Sequence, residues 1–100
     1  MRVYVAELSD FAPGSQKSIR LGRQSVLVVN DQGTLFALRN LCTHESVALE
    51  GGQVSCGKIT CSAHGATFDL ATGAATAPAF KAVRLYRVVL EGTAVYVEEA

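Results

Sequence analysis

Cys42-Thr43-His44 and Cys61-Ser62-Ala63-His64 are separated by sixteen residues, and the two histidines of the chain both fall inside these segments. Each segment offers one thiolate and one imidazole, so together they supply two sulfur and two nitrogen donors. Soft thiolates combined with imidazoles suit either a tetrahedral Zn²⁺ or a two-iron cluster in which histidines replace part of the usual cysteine set. A single intracellular cysteine is commonly just a small buried apolar residue. Chance rarely places both histidines two and three residues after a cysteine, so Cys42, His44, Cys61 and His64 read jointly as a ligand set. Cys56, beside Gly57 in the spacer, stands outside a set already complete and reads as a tolerated small residue. The carboxylates are scattered and form no acid/base pair, and Glu45, beside His44, reads as solvated.

The segments that must position these donors have a period of two. Residues 3–6, 18–21, 25–29 and 34–38 alternate or run apolar in the manner of strands. Asn30-Asp31-Gln32-Gly33 supplies turn chemistry that joins two of them into a hairpin, with Gly33 free to take positive φ. Residues 83–90 and 93–98 flank Glu91-Gly92 as a second hairpin, and Tyr4, Tyr86 and Tyr96 sit in strand patterns as core or edge residues. Between these ends, residues 40–79 are rich in Gly, Ser, Thr and Ala, with weak strand signals at 58–60 and 67–69 and at most a short helical turn at 45–50. The expected organisation is all-β: one domain over residues 1–100, with a loop-rich ligand-bearing subdomain at about 40–79 set into an antiparallel scaffold formed by 1–39 and 80–100.

Composition narrows the functional classes. Apolar residues make up 49% of the chain and charged residues 18%, a globular balance. Nine basic residues match nine acidic ones without a basic cluster, which predicts neither nucleic-acid nor membrane-surface binding. Apolar runs such as residues 26–29 are far too short to span a bilayer. Residues 1–8 alternate like a strand and lack the apolar stretch of a signal peptide, so a cytoplasmic location is expected. An odd count of three cysteines argues against a disulfide scaffold.

The pattern C-x-H, sixteen residues, C-x-x-H resembles the signature of the Rieske family, and the flanks match as well: Gly65 after the last ligand, Phe68-Asp69, Gly73, and Pro78 in a loop expected to cover the cluster. The closing segment, from Leu85-Tyr86-Arg87-Val88 through Val95-Tyr96-Val97, is similar to that of the family's small ferredoxins. The resemblance implies a Rieske-like antiparallel fold (a sandwich or incomplete barrel) and one 2Fe-2S cluster, with Cys42 and Cys61 on the buried iron and His44 and His64 on the outer one. Gly65 and the pair Gly51-Gly52 are expected to let backbone N–H groups approach the sulfur atoms. High-potential members carry an additional cysteine pair, bridging the cluster loops, and hydroxyls at positions that correspond here to Ala66 and Phe68; this chain has neither. Fewer donors to the cluster imply a low potential. The resemblance thereby places the chain with the ferredoxins of bacterial ring-hydroxylating systems, although those often carry Pro-Trp where this chain has Ser62-Ala63.

What the resemblance implies for function is a one-electron carrier, not itself an enzyme. It would take electrons from a flavin-containing, NAD(P)H-dependent ferredoxin reductase and pass them to a terminal oxygenase. Two alternatives stand beside it: a Rieske subunit fixed in a larger oxidoreductase, and a small structural zinc module. An oxygenase in its own right is excluded, because no mononuclear iron site of two further histidines and a carboxylate is available.

Overall fold

The computed structural model describes residues 1–43, 47–63, 65–77 and 79–99. Among the described residues nine strands run in order: β1 (Arg2–Glu7), β2 (Gln16–Leu21), β3 (Gln24–Asp31), β4 (Thr34–Arg39), β5 (Gln53–Ser55), β6 (Lys58–Thr60), β7 (Thr67–Asp69), β8 (Leu85–Glu91) and β9 (Ala94–Glu99). A short 3₁₀ turn at Leu8–Asp10, not foreseen from the sequence, follows β1. Six strands form one antiparallel sheet in the order β1-β9-β8-β4-β3-β2, and three form a second in the order β5-β6-β7. The large sheet curls into a nearly closed barrel. Its two edges are bridged where Lys17 of β2 donates from Nζ to the Val5 carbonyl of β1 at 2.7 Å.

The β3 sequence explains how the two sheets share one molecule. Val26, Leu27, Val28 and Val29 are all buried, so this strand is apolar on both faces instead of alternating. Val26 and Val28 enter the barrel interior with Val5, Leu21, Val95 and Val97. Leu27 and Val29 face the other way, into a second core with Leu38, Leu49, Ile59, Phe68 and Leu70 from beneath the small sheet. Each such side chain contributes roughly 1.5–3 kcal/mol of burial, so β3 anchors the small sheet to the barrel.

Turn chemistry sets the register. Asp31 pairs with Thr34 across Gln32-Gly33, at φ 54° and 98°. Ser55 pairs with Lys58 across Cys56-Gly57, at φ 54° and 75°. Both are two-residue loops of the I′ kind, whose twist suits a hairpin. Gln53-Val54-Ser55 was not foreseen as a strand; it exists because this turn folds it back onto β6. Polar side chains of the barrel then pin the small sheet: Gln16 Oε1 accepts from Gly51 N–H at 2.9 Å, its Nε2 donates to the Gly52 carbonyl at 2.8 Å, and Asp31 Oδ2 accepts from Gly57 N–H at 3.1 Å. Gly52 has no room for a side chain, since a Cβ there would stand 2.3 Å from the Thr60 carbonyl oxygen.

Two sequence expectations shift. The strand expected from residue 83 starts at Leu85, because Val83 N–H donates to the Gly73 carbonyl at 3.0 Å and its side chain joins the core beneath the small sheet. The helical turn expected at 45–50 is not a helix over residues 47–50; a turn at Glu50–Gly51 leads into β5 instead.

Candidate metal centre

Three loops gather beside the small sheet. The first leaves β4 and carries Cys42, the second joins β6 to β7 and begins with Cys61, and the third runs from β7 towards β8. Cys42 and Cys61 are 2% and 1% exposed and belong to one apolar cluster with Leu49, Ile59, Ala66, Phe68 and Ala79. None of the three cysteines is in a disulfide.

The two cysteine loops close in the same way. Cys42 N–H donates to the carbonyl of Val47, five residues on, at 2.7 Å. Cys61 N–H donates to the carbonyl of Ala66, also five residues on, at 2.7 Å. Each cysteine thus sits at the buried base of a tight loop. The histidine of each motif falls between the closing residues, two positions after Cys42 and three after Cys61. His44 and His64 themselves lie outside the described residues, as do Glu45, Ser46 and Pro78. Among the described residues there is no group of three or more His, Cys, Asp or Glu side chains able to hold a metal ion, so what the structure brings together of the predicted set is the cysteine pair.

The third loop is tied to both others. Thr43 Oγ1, within the first motif, donates to the Lys81 carbonyl. Thr67, directly after the second loop, accepts Thr76 N–H on its carbonyl at 2.9 Å and donates its own N–H to Thr76 Oγ1 at 3.0 Å. At the start of the third loop, Asp69 Oδ1 accepts the N–H groups of Ala71 and Thr72 at 2.9 and 3.0 Å. These two donors, that of Ala71 first, hold its carboxyl below the ordinary aspartate value. The threonine and aspartate contacts were not legible in the sequence: only the Cys/His spacing and the Phe68-Asp69…Gly73 pattern pointed here, and polar side chain-to-backbone bonds leave no periodic trace.

The N–H groups of the three glycines themselves go to oxygen acceptors. The N–H of Gly51 goes to Gln16 Oε1, that of Gly52 to the Leu49 carbonyl at 2.9 Å, and that of Gly65 to the Cys61 carbonyl at 3.1 Å. These glycines shape the loops. Cys56 is exposed, accepts a long contact from Ser55 Oγ at 3.6 Å, and forms part of a turn, not of the buried pair. Of the tyrosines, Tyr86 is buried in the barrel, and Tyr4 meets Tyr96 edge-on at 5.7 Å on the β1–β9 pair.

Comparison with known proteins agrees with this arrangement. The family model described as the Rieske 2Fe-2S domain matches residues 1–87. The ferredoxin component of biphenyl 2,3-dioxygenase from Rhodococcus jostii (strain RHA1) is 35% identical over 95 residues, which are 94% of this chain and 89% of that protein. Among solved structures, the ferredoxin of carbazole 1,9a-dioxygenase from Nocardioides aromaticivorans IC177 superposes with a TM-score of 0.91 at 34% identity, covering 99% of this chain and 98% of that one. A chain of the complex of reduced oxygenase and oxidized ferredoxin in carbazole 1,9a-dioxygenase gives 0.90 at 26% identity, over 96% of this chain and 91% of that one. Similarity also extends to apoptosis-inducing factor 3 of Homo sapiens, 33% identical over 94 residues; these are 93% of this chain but 16% of that protein.

Proposed function

The chain belongs to the Rieske 2Fe-2S domain family, and we propose that it works as a one-electron carrier feeding the terminal oxygenase of an aromatic-ring-hydroxylating system. The cofactor of this family is a Rieske-type 2Fe-2S cluster. Cys42 and His44 from the first loop and Cys61 and His64 from the second would hold it, within a cluster-binding part at about residues 40–79 of a single domain, 1–100. The residues fit such a group on one observation above all: two thiols buried in a common core, each at the base of a loop closed by the same five-residue bond. When bound, the cluster supplies reversible one-electron chemistry.

The rest follows from the chain itself. The apolar core around Cys42 and Cys61 keeps water from the sulfur ligands, and Thr43, Thr67 and Thr76 lock the third loop against the other two. No catalytic constellation is needed, because the reaction belongs to the partner. A flavin-containing, NAD(P)H-dependent ferredoxin reductase would supply the electron, in the cytoplasm. Among the described residues no helix is long and apolar enough to cross a membrane. The ferredoxin names of relatives that match nearly end to end support this reading, and the carbazole complex supports an oxygenase as acceptor.

The test is direct. Chemically reduced protein is mixed anaerobically with an oxidised terminal oxygenase of the biphenyl or carbazole type, and its visible spectrum is followed. Return of the oxidised spectrum, at a rate that rises with oxygenase concentration, is expected. Failure to transfer to any oxygenase of a panel would count against the reading. The human relative, in which the matched segment is a small part of the protein, supports a second reading: a Rieske unit built into a larger oxidoreductase. Stable copurification with a large subunit from native cells would favour that one.

A further inference from the structure

The two cysteine loops differ in what flanks them. The second is a hairpin connection: Cys61 follows β6, Ala66 precedes β7, and the ladder pair Thr60–Thr67 closes its base. The first has no such ladder, since β4 before it belongs to the large sheet and β5 after it to the small one. Outside the Cys42–Val47 bond, another contact must tie the flanks of this loop.

Asn40 occupies that place. It directly follows β4, stands two residues before Cys42, and is only 9% exposed. Its Oδ1 accepts the N–H of Glu50 at 2.9 Å, and its Nδ2 donates to Ser25 Oγ at 3.2 Å. Its own N–H donates to the Ser25 carbonyl at 2.8 Å. One amide therefore joins the point where the chain leaves the barrel, the point where the loop ends, and the start of β3. The Cys42–Val47 bond lies inside this bracket. The side chain must accept on one side and donate on the other, which suits an amide, and a buried polar group satisfied on both sides is rigid.

We infer that Asn40 is a positioning residue for the cluster: its side chain replaces the missing ladder and holds the first loop in the geometry in which Cys42 meets the second. This rests on the ligand set proposed above. Gln16 provides a control, because both its amide atoms bond the 51–52 turn, just beyond Glu50, where the Cys42 loop ends.

The experiment uses holoprotein of wild type, Asn40→Ala, Ser25→Ala and Gln16→Ala. Two properties are read: the rate at which an iron chelator bleaches the visible spectrum, and the electron paramagnetic resonance spectrum of the reduced protein, which reports ligand geometry. Asn40→Ala should bleach about tenfold faster, in line with other groups that orient metal ligands, and its resonance should shift. Ser25→Ala should move both in the same direction by less. Gln16→Ala should lower the thermal midpoint while leaving the resonance unchanged. A folded Asn40→Ala with the wild-type resonance and bleaching rate would overturn the inference. If that variant does not fold, Ser25→Ala decides by the same criteria. Wild type lacking iron and sulfide would overturn the ligand set and this inference with it, whereas wild-type holoprotein with an unaffected Asn40 variant would overturn this inference alone.

Discussion

Cys42 and Cys61 lie in a common core with Leu49, Ile59, Ala66 and Phe68, whereas Cys56 stands exposed on a two-residue turn at positive φ. Replacing either buried cysteine by serine should abolish the visible chromophore and loosen the surrounding fold, because metal binding and folding are coupled. Cys56→Ser should keep both colour and iron content; a bleached Cys56 variant would move that residue into the ligand set. The absent hydroxyls lead to a second expectation. Ala66 and Phe68 are fully buried in the same core as the two cysteines. Hydrogen bonds to cluster sulfur favour the more negative reduced state, so a site without them belongs towards the lower end of the roughly −150 to +300 mV spanned by Rieske centres. A net hydrogen bond is worth about 1 kcal/mol and about 59 mV is a factor of ten for one electron, so Ala66→Ser with Phe68→Tyr should raise the potential by on the order of 50–100 mV. Voltammetry at unchanged iron content checks it, and a lowered or constant value would remove the hydroxyl argument.

Elements were legible wherever side chains alternate. The strands β1–β4, β8 and β9 follow from period-two and apolar-run patterns, with the start of β8 shifted by two residues, while β6 and β7 leave only weak signals. β5 was not legible, because Gln53-Val54-Ser55 has one residue of high β propensity where β6 and β7 have two each, and the strand depends on the Cys56-Gly57 turn. The site was legible in its donors and not in its supports: Thr43 reaches Lys81 thirty-eight residues away, a contact that no local pattern announces. The turn after β7 makes one such support testable. Asp69 accepts two backbone N–H bonds, which hold its folded value below the ordinary 3.8. A depressed value stabilises the fold fully above the ordinary aspartate range, and that contribution is lost as pH falls through the lowered folded value. Asp69→Ala should therefore melt below wild type at neutral pH, with the gap closing on acidification. Thermal unfolding of both from neutral pH down to about pH 2 (through the ordinary aspartate range and below it) reads this, and a gap that stays constant over that span would exclude the charge as its source.

At the scale of the whole molecule, the barrel and the small sheet divide the work through β3, whose two faces belong to two cores. The barrel supplies a rigid base and the small sheet presents the cysteine loops, with Gln16, Asp31 and Asn40 fastening one to the other. The proposed electron carrier rests on the identity of the group that these loops would hold. Metal and sulfide analysis of protein purified under air tests that most directly. The account predicts a red-brown protein with about two irons and two acid-labile sulfides per chain. A colourless protein with stoichiometric zinc and no sulfide would contradict it.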